Sequence, residues 1–167
     1  MISKGRIEAN LRSLEYAFRT ARAQRHALYF SKLAILELCG WIEMSMDDMV
    51  QRHSVRKLQE TNNRKYVDET VIKRTSGFDY DTHFRTMLIR LVGIVTVEKM
   101  ESRISGAMKS SLIVELQALR NVRNGLAHTY LKGPNATLNI DAPSRTIARV
   151  RPLYEGLLAY DAALRAL

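Results

Sequence analysis

The sequence predicts an all-α fold, an antiparallel up-and-down bundle of four to five helices. Three observations lead there. The only prolines are Pro134, Pro143 and Pro152, so nothing before residue 134 breaks a helix by lacking its amide. Apolar residues recur at intervals of three and four, the repeat that lines one face of a helix. Connections between these runs are short, which favours antiparallel neighbours. No internal repeat interrupts the chain, and its 167 residues suit one domain (1–167) with a core of its own.

The elements follow in order. Leu11, Leu14, Phe18 and Ala21 are spaced three, four and three, and Leu28, Leu33, Leu36 and Ile42 continue the pattern. They predict one long helix from about Ile7 to about Arg52, bent or broken between Ala23 and His26. Residues 54–77 are polar and charged, with Asn62-Asn63 and Ser76-Gly77 as turn signals, and are expected to form a surface connection holding at most a short helix. Asp79 or Asp81 can cap a third helix, because a carboxylate accepts from the free amides of a first turn. Phe84, Leu88, Leu91, Val92 and Val95 would be its buried stripe, ending near Glu101 to Ser105. Gly106 marks a turn, and Ser110 or Ser111 would cap a fourth helix running to about Ala127. Gly133-Pro134 should stop it, and Thr137 to Ile140 suits a short extended piece. Pro143, favoured in a first helical turn, opens a last helix bearing Ile147, Val150, Leu153, Leu157 and Leu164.

Charge narrows the partners. Lys and Arg number 26 against 17 Asp and Glu, a net charge of +9 that favours anionic partners: nucleic acid, acidic protein or anionic membrane. The excess is uneven, for residues 1–32 carry seven basic and two acidic side chains while residues 33–60 carry three and five. No apolar run approaches the ~18 residues of a membrane span, so no membrane association by insertion is expected. The best stretch, Leu33 to Ile42, is interrupted by Glu37. The first residues lack the apolar core of a secretory signal. Cys39 is the sole cysteine and lies in an apolar stretch, which fits a reducing cytoplasm.

Most chemistry-bearing residues read as structure. His26, His53 and His83 lack the spaced partners of a metal site, so neither metal nor cofactor is expected. Asp47-Asp48 can bind a cation or orient a catalytic group, but a solvated helix face is the favoured reading, since exposed acidic residues are the norm. Trp41, Met44, Met46 and Met49 suit a core or an interface between copies. No Gly-rich phosphate loop occurs, and no serine or cysteine is placed as a nucleophile.

The fourth helix is different. Leu112, Leu116, Leu119, Arg123 and Leu126 are spaced four, three, four and three, so Arg123 takes a leucine's place on the buried face. Burying an unpaired guanidinium costs several kcal/mol. Asn124, His128 and Tyr130 follow within seven residues. Each has a plain reading: Arg123 can reach solvent or pair with Glu115, His128 can answer the helix dipole, and Tyr130 can be a core aromatic with a wet hydroxyl.

The segment Arg123-Asn124-Gly125-Leu126-Ala127-His128 resembles the signature of HEPN domains, an arginine, a polar residue, three residues and a histidine. Arg120 does not fit it. Leu33 to Val50 also resembles the long second helix of these proteins, and the resemblance spans most of residues 25–130. It implies a HEPN-like bundle acting as a homodimer, with metal-independent RNA cleavage at a composite site between protomers. In that reading His128 is the general acid/base, Arg123 the phosphate ligand and Asn124 an orienting donor. Arg123 and His128, five residues apart, lie about 140° apart around a helix, so a site shared by two chains suits them. With Tyr130 the pattern becomes Arg-x4-His-x-Tyr, similar to HEPN toxins whose tyrosine is modified by a nucleotidyltransferase antitoxin. The expected role is a bacterial toxin or anti-phage defence effector. A HEPN-fold module that binds RNA or a nucleotide, or docks a partner, without catalysis is the alternative. A third reading is a cationic protein that binds DNA or membrane through charge alone.

Overall fold

The chain first doubles back on itself. Helix α1 (Gly5–Thr20) and helix α2 (Gln24–Lys57) are separated by Ala21, Arg22 and Ala23, with extended backbone at Ala21 and Ala23. Trp41 Nε1 donates to the Ser3 carbonyl at 3.0 Å and Asn10 Nδ2 to Glu37 at 3.4 Å. Both contacts pair positions symmetric about the break, so the expected long helix is an antiparallel hairpin. The computed structural model describes residues 2–127 and 140–167, and all their regular structure is helical.

Helix α3 (Thr61–Tyr66) runs into a π-helical turn, Val67–Ile72. A second π-helical turn, Tyr80–Phe84, leads into helix α4 (Arg85–Val92), followed by α5 (Ile94–Arg103), α6 (Gly106–Ala127) and α7 (Pro143–Arg165). The described residues thus hold seven α-helices rather than four or five. Four long ones form the bundle. Leu112 faces Gly156 and Glu115 bonds Arg149, so α6 and α7 are antiparallel. Arg52 meets Asp161 while Arg56 meets Leu164, so α2 and α7 run parallel. Hence α1 and α6 point one way, α2 and α7 the other.

The core lies where these four meet. Leu11, Leu38, Ile42, Leu112, Leu116, Leu153 and Leu157 are buried there, and Phe84 and Tyr160 fill the end nearest the short helices. A Cβ on Gly156 would sit 2.7 Å from the Leu112 Cβ, so α6 and α7 approach at a distance only glycine permits.

Several expectations change. The third helix is two, because Gly93 adopts φ 81°, where a helix cannot continue. Asp79 does cap its start, accepting from the Thr82 amide at 2.9 Å. Beyond Gly93 the buried face shifts: Val95 is 64% exposed, and Val97 and Met100 enter the core instead. Helix α6 begins at Gly106, so Ser110 and Ser111 lie inside it rather than capping it. The polar segment 54–77 is more than a surface connection, for Val67 and Val71 are buried. On α2, Leu33 and Leu36 are 43% and 37% exposed, and Ala34, Ile35, Leu38 and Cys39 face the core. The expected stop at Gly133-Pro134 and the piece starting at Thr137 lie outside the described residues.

Candidate functional site

Helix α6 positions the anomalous arginine as its spacing requires. Leu112, Leu116, Leu119 and Leu126 are buried, and Arg123 is half-buried on the same face. Asn124 is exposed. His128 and Tyr130 lie outside the described residues.

The other charged groups of α6 are paired. Lys109 Nζ reaches Glu101 at 2.9 Å, and Arg120 Nη1 reaches Asp79 at 2.8 Å. Glu115, a partner open to Arg123 in the sequence, bonds Arg149 instead. Among the described residues no carboxylate comes within ion-pair distance of Arg123. On α2 its neighbour is Cys39. Burial pushes the Cys39 thiol up to about 12, Glu43 adds to this, and the Arg123 guanidinium opposes it. Cys39 is therefore a neutral thiol at physiological pH and supplies Arg123 with no counter-charge.

One turn past Glu43 lies a carboxyl of unusual affinity for protons. Half-buried Asp47 is pushed up to about 6, first by burial and then by the Glu43 and Asp48 carboxylates. It exchanges protons near neutrality, which a solvated helix face would not do. The adjacent residues of α2 carry an apolar stripe towards solvent. Leu33, Leu36 and Met44 are exposed, Met44 by 71%, and Trp41 is half-buried beside them. Leu36, Gly40, Trp41 and Met44 line one side of a groove of about 600 Å³, whose other side is the start of α1. Of the methionines read as core or interface, Met46 and Met49 are core, while Met44 faces this groove.

The remaining histidines have other tasks. His83 Nδ1 accepts from the Asp79 amide at 3.2 Å, and its ring lies so close to Gly77 that a Cβ there would come within 2.8 Å of it. Burial, with Arg56 and Lys57 nearby, holds the His53 imidazole below its ordinary value. Among the described residues no group of three or more His, Cys, Asp or Glu is arranged to hold a metal ion.

Sequence reasoning found Arg123 from its place in a leucine repeat. It gave no sign of the Arg120–Asp79 pair, whose members are 41 positions apart, nor of the proton affinity of Asp47, which depends on burial. Comparison of the chain with protein-family models, curated proteins and solved structures gives no match.

Proposed function

We propose that this protein is a metal-independent endoribonuclease of HEPN type, working in the cytoplasm as a homodimer and serving as a toxin or anti-phage effector. One observation carries the reading. Arg123 is half-buried in the Arg-Asn-x3-His pattern with no carboxylate partner among the described residues, whereas Lys109 and Arg120 on the same helix both have one. A guanidinium left without an internal anion can take an external one, and its planar fork suits phosphate oxygens.

The chemistry needs little else. The 2′-hydroxyl of RNA attacks the adjacent phosphorus, the bond to the 5′-oxygen breaks, and a cyclic phosphate remains. A base must take the hydroxyl proton and an acid must protonate the leaving oxygen, while a cation steadies the phosphoryl oxygens. Arg123 supplies the cation and Asn124 a neutral donor. His128 supplies proton transfer, and two copies of it allow both roles at once. The exposed stripe at Leu33, Leu36 and Met44 offers an apolar surface to a second chain, which supports a two-chain arrangement. Among the described residues no helix is long and apolar enough to cross a membrane. The net charge of +9 would draw RNA towards such a site.

The test is cleavage of total RNA by the wild type, Arg123→Ala and His128→Ala, with and without a chelator. Each substitution should slow cleavage about 10²–10⁴-fold, the range for losing a charge stabiliser or a general acid/base. Products should carry 2′,3′-cyclic phosphates, and the chelator should change nothing. Undiminished cleavage by both variants, or dependence on a divalent metal, refutes the assignment. Binding of RNA without any product would favour a non-catalytic module. A strict monomer by solution mass would refute the shared site.

A further inference from the structure

We propose that the cavity between the last turns of α2 and α7 binds a terminal phosphate group, a phosphomonoester dianion. The cavity measures about 210 Å³ and is walled by Arg52, His53 and Arg56 of α2 and by Asp161 and Arg165 of α7. It is a separate place from Arg123. Cys39, beside Arg123, precedes His53 by fourteen residues on α2, about 21 Å at 1.5 Å per residue.

The charges around the cavity do not balance. Asp161 is buried and is its one carboxylate among the described residues. It meets Arg52 Nη2 at 3.4 Å and Arg165 Nη2 at 3.2 Å. Arg56 is held differently: its Nη2 donates to the Leu164 carbonyl at 3.2 Å and lies 3.4 Å from His53 Nδ1. Lys57 also acts on the His53 imidazole but does not line the cavity. Three guanidiniums against one carboxylate leave two positive charges. The C-terminal ends of two helices offset about one of them, at roughly half a charge per helix. An excess of about one positive charge remains, so the cavity favours an anion, and three arginines along its wall suit the three free oxygens of a terminal phosphate.

The donors are also in place. Among the described residues, Nη1 of Arg52, Arg56 and Arg165 has no hydrogen-bond or ion-pair partner. The contacts that do exist hold Arg52 and Arg165 by Nε and Nη2, and Arg56 by Nη2. Such prefixed forks need little ordering when an anion arrives. No Phe, Tyr or Trp lines the cavity, so the usual platforms for stacking a nucleobase are absent and recognition falls mainly on the phosphate. An RNA end and a small free phosphate share that chemistry. The assignment does not depend on the ribonuclease reading, and loss of cleavage in Arg123→Ala leaves it untouched.

The experiment uses the whole chain. Thermal unfolding is followed in inorganic phosphate and in sodium chloride of equal ionic strength. Calorimetry then compares a 5′-phosphorylated 2′-O-methyl oligonucleotide, which has no hydroxyl to cleave, with its 5′-hydroxyl twin. Phosphate should raise the melting temperature beyond the chloride control, and the phosphorylated oligonucleotide should bind at least tenfold tighter than its twin. Arg56→Gln should weaken phosphate binding at least tenfold while melting like the wild type without phosphate. In the wild type, phosphate should raise the His53 titration midpoint seen by NMR, a readout that needs no variant. Response to inorganic phosphate alone would identify a small ligand, and preference for the oligonucleotide an RNA end; either supports the site. Equal effects of phosphate and chloride, with an unmoved His53, would overturn it.

Discussion

At the junction of the second π-helical turn with α5, α6 and α7, buried charge is surrounded by partners. The Tyr80 hydroxyl donates to Glu101 at 2.6 Å, which leaves Tyr160 to donate to Tyr80, also at 2.6 Å. Arg85 and Lys109 reach the same carboxylate at 2.8 and 2.9 Å. Four elements are tied to one acid. Along α2 the opposite holds. Glu43, Asp47 and Asp48 follow one another with like charge, and near Cys39 of the same helix Arg123 meets a neutral thiol. The first region spends its charges on one another and stabilises the fold. The second leaves both a cation and a carboxyl available, which is what a site for an external ligand requires.

The largest effect on stability should come from the satisfied region. Glu101→Ala leaves Arg85, Lys109 and Tyr80 without their acceptor in a mostly buried place. Unfolding in urea should show a loss of about 3 kcal/mol, with a melting temperature lower by roughly 5–10 °C. A loss below about 1 kcal/mol would mean that these bonds are replaced by water and that the contrast with α2 is superficial.

How far the sequence reveals this division depends on the range of the contacts. Helices α1, α6 and α7 are visible because each buries a narrow stripe, and the three-four spacing of Leu112, Leu116 and Leu119 reports it directly. Helix α2 is harder. It packs against α1, α6 and α7 at once, so its buried arc is wide and apolar spacing does not tell which leucines stay outside. Leu33 and Leu36 continue the helical spacing yet face solvent. Gly93 escapes notice because a glycine within an apolar run is compatible with a continuous helix until its φ is known. For the candidate site, Arg123 is visible as an exception to a local repeat. The cluster at Asp161 is not, since Arg52 precedes Asp161 by 109 residues and no local pattern links them.

A moderate effect of opposite sign is expected on α2. The Asp47 carboxyl titrates near 6 in the folded chain and near 3.9 when unfolded. A raised folded value means that its contribution is fully present below pH ~4 and is lost as pH rises through about 6. The wild type is thus destabilised by this group at pH 8, and Asp47→Asn should relieve it. Because Asp47 is only half-buried, solvent screening reduces the gain to roughly 1 kcal/mol. Urea midpoints of the two proteins should diverge above pH 6 and converge below pH 4. A constant difference across that range would show that Asp47 is not under the strain assigned to it.

The smallest change belongs to Arg123, and its sign decides the comparison. If the guanidinium holds the fold together, Arg123→Met must cost as much as breaking other half-buried ion pairs. If it is kept for a ligand, its removal relieves a desolvation penalty, and a side chain of similar length continues the leucine stripe. The expected gain is about 0.5 kcal/mol, read as a rise in the urea midpoint at unchanged slope. Paired with the near-complete loss of RNA cleavage expected for Arg123→Ala, such a gain would separate function from stability at a single residue. A fall of more than about 1 kcal/mol would place Arg123 with Glu101, as a charge retained for folding.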